Sequence, residues 1–105
     1  MSDRIATLQS WVEESPDDAF SRYALAMEFK KLSKFEDAAR EFGELTARNP
    51  SYCATYYHYG LLLAQLGQKE KALTVIDKGL AETKKAGKDH AHDELTDARL
   101  QVTEE

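Results

Sequence analysis

Residues 19–50 read AFSRYALAMEFKKLSKFEDAAREFGELTARNP, and the spacing of their apolar side chains decides the fold. Leu25, Ala26 and Phe29 fall on one face of a helix, because residues three or four apart stack along one side. Ala38, Phe42 and Leu45 stand at i, i+4 and i+7 of a second helix. Between them, Lys31, Leu32, Ser33 and Lys34 interrupt both patterns, with Leu32 the one apolar residue of the four. This spacing predicts two antiparallel helices joined by a short turn and closed by Asn49 and Pro50.

The pattern recurs further along. Tyr59, Gly60, Leu63, Ala72 and Ile76 occupy the places of Leu25, Ala26, Phe29, Ala38 and Phe42, each 34 residues later. Pro16 precedes Pro50 by the same 34 residues. A 34-residue period with a small residue, an aromatic and a closing Pro resembles the tetratricopeptide repeat (TPR) family, in the form of its small bacterial-type domains. The resemblance covers roughly 70 residues. It implies an all-α fold: an antiparallel helix-turn-helix repeat array, an α-solenoid, with two full repeats. An N-terminal half-repeat helix precedes them and a C-terminal capping helix follows. The small residues pair as Ala26 with Ala38 and Gly60 with Ala72, where two helices cross closely, and the larger motif residues fill the surrounding space.

The chain departs from the family pattern in four places. Arg22 stands where the family prefers Trp, although Tyr56 in the second repeat is aromatic. Ser33 replaces the turn Gly that Gly67 keeps. Gly79 stands at the place of Leu45, and Thr83 and Lys84 replace Asn49 and Pro50. The second repeat therefore lacks a sharp stop.

At 105 residues the chain is one domain by length, read here as a single TPR-like domain over 1–105. A chain this long buries between about 60 and 70% of its unfolded surface. Its 42% hydrophobic and 31% charged content are those of a soluble globular protein. No apolar run approaches the roughly 20 residues of a membrane span, and the N-terminus shows no signal-peptide core. Cys53 is the single cysteine, so no internal disulfide forms. A cytoplasmic protein without a membrane partner is expected.

The net charge of −5 is unevenly spread. Residues 1–18 carry five acids against one base, and residues 89–105 carry six against one. Residues 19–88 carry twelve bases against eight acids. These charges are solvated helix surfaces, or the acidic ends fold over the mildly basic middle and partly neutralise it. Overall acidity argues against a nucleic-acid partner, which asks for a basic footprint.

In chain order, helices are expected at about 3–14, 18–31, 35–48, 52–65, 69–85 and 90–103. In the first, Ile5, Leu8, Trp11 and Val12 form one apolar stripe, with Ser2 or Asp3 as the cap. Trp11 takes the register of Leu45 and is read as a core residue packed on the next helix. Asp17 and Asp18 cap the second helix, Ser51 the fourth and Asp89 the last. In the last helix, Ala91, Leu95, Ala98 and Val102 form the apolar face and the opposite face is acidic. Asp93, Glu94 and Asp97 stand where motif residues would be, so it caps the array rather than repeating it.

No catalytic constellation is visible, and an enzyme is not expected. Cys53 reads as a small packed thiol; it opens a helix, where a thiol can become reactive, and that is the alternative. His90, His92 and Asp93 look like a metal-binding fragment, but residues two apart do not share a helical face. No metal site and no cofactor are expected. Glu13, Glu14, Asp17 and Asp18 read as caps and solubilising charge. No glycine-rich phosphate loop is present.

In the TPR family, the first helix of each repeat lines a concave surface that binds extended peptides or helices. The resemblance places Phe20, Tyr23, Met27, Lys30 and Lys31 there from the first repeat. From the second it places Tyr57, His58 and Leu61, with Ala54, Ala64 and Gln65 beside them. Phe20, Tyr23 and Met27 stand at i, i+3 and i+7, a stripe separate from Leu25 and Phe29. Aromatic and Met side chains suit peptide contact. The Lys–Asn arrangement by which some members clamp a C-terminal carboxylate is not matched, because Tyr23 and Met27 hold those places. The expected function is a non-enzymatic protein-interaction module or adaptor with a protein or peptide partner. The alternative is a self-associating structural protein, a homo-oligomer whose groove or open end pairs with a second copy. The chain's own last helix covering the stripe is a further alternative.

Overall fold

The computed structural model describes residues 3–105, and every regular element among them is a helix. These are α1 (Asp3–Glu14), α2 (Ala19–Lys31), α3 (Phe35–Arg48), α4 (Ala54–Gln65), α5 (Lys69–Ala86) and α6 (Asp89–Glu104). The chain divides into two compact units, Met1–Asn49 and Pro50–Glu105. Each contains one antiparallel helix-turn-helix pair, α2–α3 and α4–α5.

In the first unit, Leu25, Ala26 and Phe29 of α2 and Ala38, Phe42 and Leu45 of α3 are all buried. Ala26 and Ala38 have no exposed surface at all, as a close crossing requires. α1 packs on α2 through Ile5, Leu8 and Val12. Arg4 Nε reaches Glu28 Oε1 at 3.1 Å across that contact. Trp11, expected in the core, is 48% exposed. It projects from the edge of the stripe that Ile5, Leu8 and Val12 bury, and α1 packs mainly against α2.

In the second unit, Tyr56, Tyr59, Gly60 and Leu63 of α4 meet Ala72, Ile76 and Gly79 of α5. At Gly60 the close approach is to Ile76: an added Cβ would lie 2.5 Å from Ile76 Cγ1 and 3.7 Å from the Ala72 carbonyl oxygen. α6 packs on both helices and buries Leu95, Ala98 and Val102. Arg99 Nε to Asp77 Oδ1, 2.7 Å, ties α6 to α5.

α2, α4 and α5 end in one and the same way. The N–H groups of Ser33, Gly67 and Gly87 donate to the carbonyls of Lys30, Ala64 and Lys84. The N–H groups of Lys34, Gln68 and Lys88 donate to the carbonyls of Phe29, Leu63 and Thr83. This pair of bonds needs a left-handed residue after the helix. Gly67 and Gly87 supply it at φ 81° and 69°, and Ser33 does so at φ 60°. The second repeat, lacking Asn-Pro, therefore runs on to Ala86 and stops at Gly87.

The helix starts differ from expectation. α2 and α4 begin at Ala19 and Ala54, and α6 at Asp89. Cys53 rather than Ser51 precedes α4, and Lys88 rather than Asp89 precedes α6. Asp18 does precede α2, but its carboxylate accepts the Ser21 hydroxyl at 2.5 Å and caps no backbone N–H. Asp17 instead pairs with Arg48 at 2.8 Å. The proposed cap Ser2 lies outside the described residues. Packing of the apolar faces holds these helices more than their caps do.

Candidate functional site

α2 carries its stripe on a face separate from the buried motif. Phe20 is 63% exposed and begins it. Tyr23 and Met27 are half-buried, as is Lys30, and Lys31 is exposed. The ring of Tyr23 stands 6.4 Å from that of the buried Phe42, tilted by 57°. Tyr23 thus also serves the core, which the residue pattern alone did not show, and Phe20 is the purer surface residue.

In the second unit, Tyr57, His58 and Leu61 of α4 are half-buried. The rings of Tyr57 and His58 meet edge to face at 5.4 Å. Both border a cleft of about 190 Å³ whose other wall is Ala91, Glu94 and Leu95 of α6. Within this unit, α6 lies alongside the α4 stripe and leaves Tyr57 and Leu61 partly open.

Two features escaped the residue pattern. The first is a cleft of about 720 Å³ where α1 meets the end of α2 and the start of α3. Its walls include Ile5, Phe29 and Leu32, and Lys34, Asp37 and Arg40 line its polar side. A lone Leu32 in a polar turn was the one available signal. The second is a buried ion pair, Arg22 Nη1 to Glu41 Oε1 at 2.9 Å, with Arg22 Nη2 also donating to the Pro16 carbonyl at 3.3 Å. Arg22 Nε is buried without a partner. The pair fills the space at a place where the family prefers Trp.

Cys53 is buried, and its thiol donates to the Ser51 carbonyl at 3.4 Å. The exposed His90 Nε2 lies 3.8 Å from Glu94 Oε2. No group of three or more His, Cys, Asp or Glu among the described residues is placed to hold a metal ion. No helix among them is long and apolar enough to cross a membrane. Tyr56 is fully buried, and its hydroxyl donates to the Pro50 carbonyl at 2.5 Å. Burial, reinforced by the charges of Glu82 and Cys53, raises its pKa from 10.0 to about 12.

No protein-family model and no curated protein sequence matches the chain. Solved structures do. A tetratricopeptide repeat domain protein from Salinibacter ruber is 35% identical over 82% of this chain and 96% of its own, with a TM-score of 0.79. The TPR2B domain of yeast Sti1, solved in complex with pHsp70, is 14% identical, covers 95% of this chain and 80% of its own, and superposes with a TM-score of 0.88. A Bordetella parapertussis protein is 18% identical over 99% and 90%, with a TM-score of 0.81. The last two share the fold. The Salinibacter relative, together with the 34-residue period and the buried motif residues of both helix pairs, establishes that the chain belongs to the tetratricopeptide repeat family.

Proposed function

We propose that this chain is a non-enzymatic protein-interaction module that contacts a peptide or a helix through the face of α2 in the first unit and the face of α4 in the second. The contact residues are Phe20, Tyr23, Met27, Lys30 and Lys31 on α2 and Tyr57, His58 and Leu61 on α4. The observation that carries the reading is Phe20, 63% exposed at the head of a helix face that the repeat core uses only in part, through Tyr23. The similar fold of the Sti1 domain was solved with a protein ligand, which supports the reading. Apolar anchors supply most of the affinity, and the lysines favour a ligand with acidic residues. The test uses a peptide selected from a random displayed library against the whole chain. Phe20→Ser should weaken its binding at least tenfold without changing the melting temperature. A selected peptide indifferent to Phe20→Ser, Tyr57→Ala and Lys31→Glu contradicts the reading.

A second reading, self-association, is favoured by Leu100, 56% exposed on α6 between the exposed Asp97 and Glu104, together with a cleft beside Leu32 that has Lys34 on its rim. Sedimentation of the whole chain at rising concentration tests it.

A further inference from the structure

An exposed Leu alone asks for no explanation. Here two exposed leucines sit in opposite settings. Leu32, 41% exposed, forms a wall of the cleft of the first unit with Ile5 and the buried Phe29. At about 720 Å³ the cleft has room for a leucine side chain and its neighbours. Lys34 on its rim has no ion pair among the described residues, and Arg40 pairs with Asp37 at 2.7 Å. The rim carries two cations against one carboxylate.

Leu100 stands on α6, whose other face buries Leu95, Ala98 and Val102. Asp97, three residues before it, and Glu104, four after, share its face and are exposed. Arg99 is turned to Asp77 and does not neutralise them. This is one apolar anchor between two carboxylates, the complement of a partly apolar cleft whose rim carries a net positive charge through Lys34.

We propose that Leu100 of one copy seats in the Leu32 cleft of a second copy, with Asp97 and Glu104 against Lys34 and Arg40. The inference deepens the self-association reading above and rests on it. The two surfaces differ, so the contact is head-to-tail, and each pair still offers one cleft and one α6 to further copies. The charge pairing is solvent-exposed and weakens with salt.

Sedimentation of the whole chain between about 1 µM and 1 mM reads this directly. The average mass should rise with concentration, less steeply at high salt. Leu100→Lys and Leu32→Lys should each hold the chain at the mass of one copy. Mixed, they should form a pair and stop at two, because one keeps its cleft and the other its α6. Both positions are exposed, so the helical circular dichroism should not change. Should either variant lose it, Lys34→Glu and Asp97→Lys replace them, each weakening association alone and restoring it when mixed. Association that ignores all these substitutions overturns the contact and leaves self-association standing. A single-copy mass for the unaltered chain over the whole range overturns both.

Discussion

A methyl group placed on Gly79 would overlap Tyr56 Cβ and lie 2.8 Å from Tyr56 Cγ. α5 therefore meets α4 with nothing between its backbone and the tyrosine. The residues 34 positions earlier are Leu45 and Arg22. In the first unit the bulk sits on the second helix of the pair and the ion-paired Arg22 occupies the first. In the second unit the bulk has moved to the first helix, and the second yields with a glycine.

Gly79→Ala sets two effects against each other. Helical propensity improves by about 1 kcal/mol. Overpacking against Tyr56 and against Leu95 Cδ1, 3.0 Å from the new methyl, costs about 1–3 kcal/mol. Both contacts are with buried atoms near the backbone or in a full core, so the clash wins. Urea denaturation should show net destabilisation of up to about 2 kcal/mol. A stabilised variant would show that the approach is looser than this.

Ser33 occupies a left-handed conformation at φ 60°, where Gly67 sits at φ 81°. For a residue with a Cβ that conformation costs about 1–2 kcal/mol, of which greater unfolded-state entropy for Gly returns part. Ser33→Gly should stabilise by about 0.5–1 kcal/mol, and Gly67→Ser should destabilise by a similar amount. Paired thermal melts of the two variants measure both. Shifts of the same sign in the two would contradict the turn geometry.

The Arg22–Glu41 pair is largely withdrawn from water, with side-chain exposures of 10% and 15%. Removing one partner leaves the other charge buried. Arg22→Met should cost about 3 kcal/mol, and Arg22→Met with Glu41→Leu should recover most of that loss. A double-mutant cycle with no coupling would mean that the pair contributes nothing.

Tyr56 gives the chain an alkaline limit. The folded state disfavours the phenolate, so it keeps this proton longer than the unfolded chain does. The stability tied to this proton is complete below pH 10 and is lost as pH rises from 10 towards 12. A shift of this size is worth about 2–3 kcal/mol. Tyr56→Phe should cost about 1 kcal/mol at neutral pH, through its bond to Pro50, and should flatten the decline above pH 10. An identical alkaline decline in both proteins would rule out Tyr56 as its source.

The helix pairs were legible because their signal is repeated. Leu25, Ala26 and Phe29 and their counterparts 34 residues later obey one spacing, and the buried faces follow it. Trp11 was misplaced because register assigns a position to a face, not a neighbour to cover it. The role of Gly79 was hidden for a related reason. Its counterpart Leu45 is large, and only the swap of bulk with Tyr56 makes a glycine the fitting choice. The Arg22–Glu41 pair joins residues on two helices, and no local pattern announces it. The apolar stripe of α2 could be read from spacing, but the contact between Tyr23 and Phe42 could not.

The proposed partner segment lies on the face of α2 opened by Phe20 and, in the second unit, on that of α4 around Tyr57. Amide chemical-shift mapping tests it most directly, with a library-selected peptide titrated into the isotope-labelled chain. The largest shifts should fall at Phe20, Tyr23, Met27, Tyr57 and Leu61, and those on α2 should be lost in Phe20→Ser. Shifts centred instead on the outer faces of α3 and α5, with α2 and α4 silent, would contradict it.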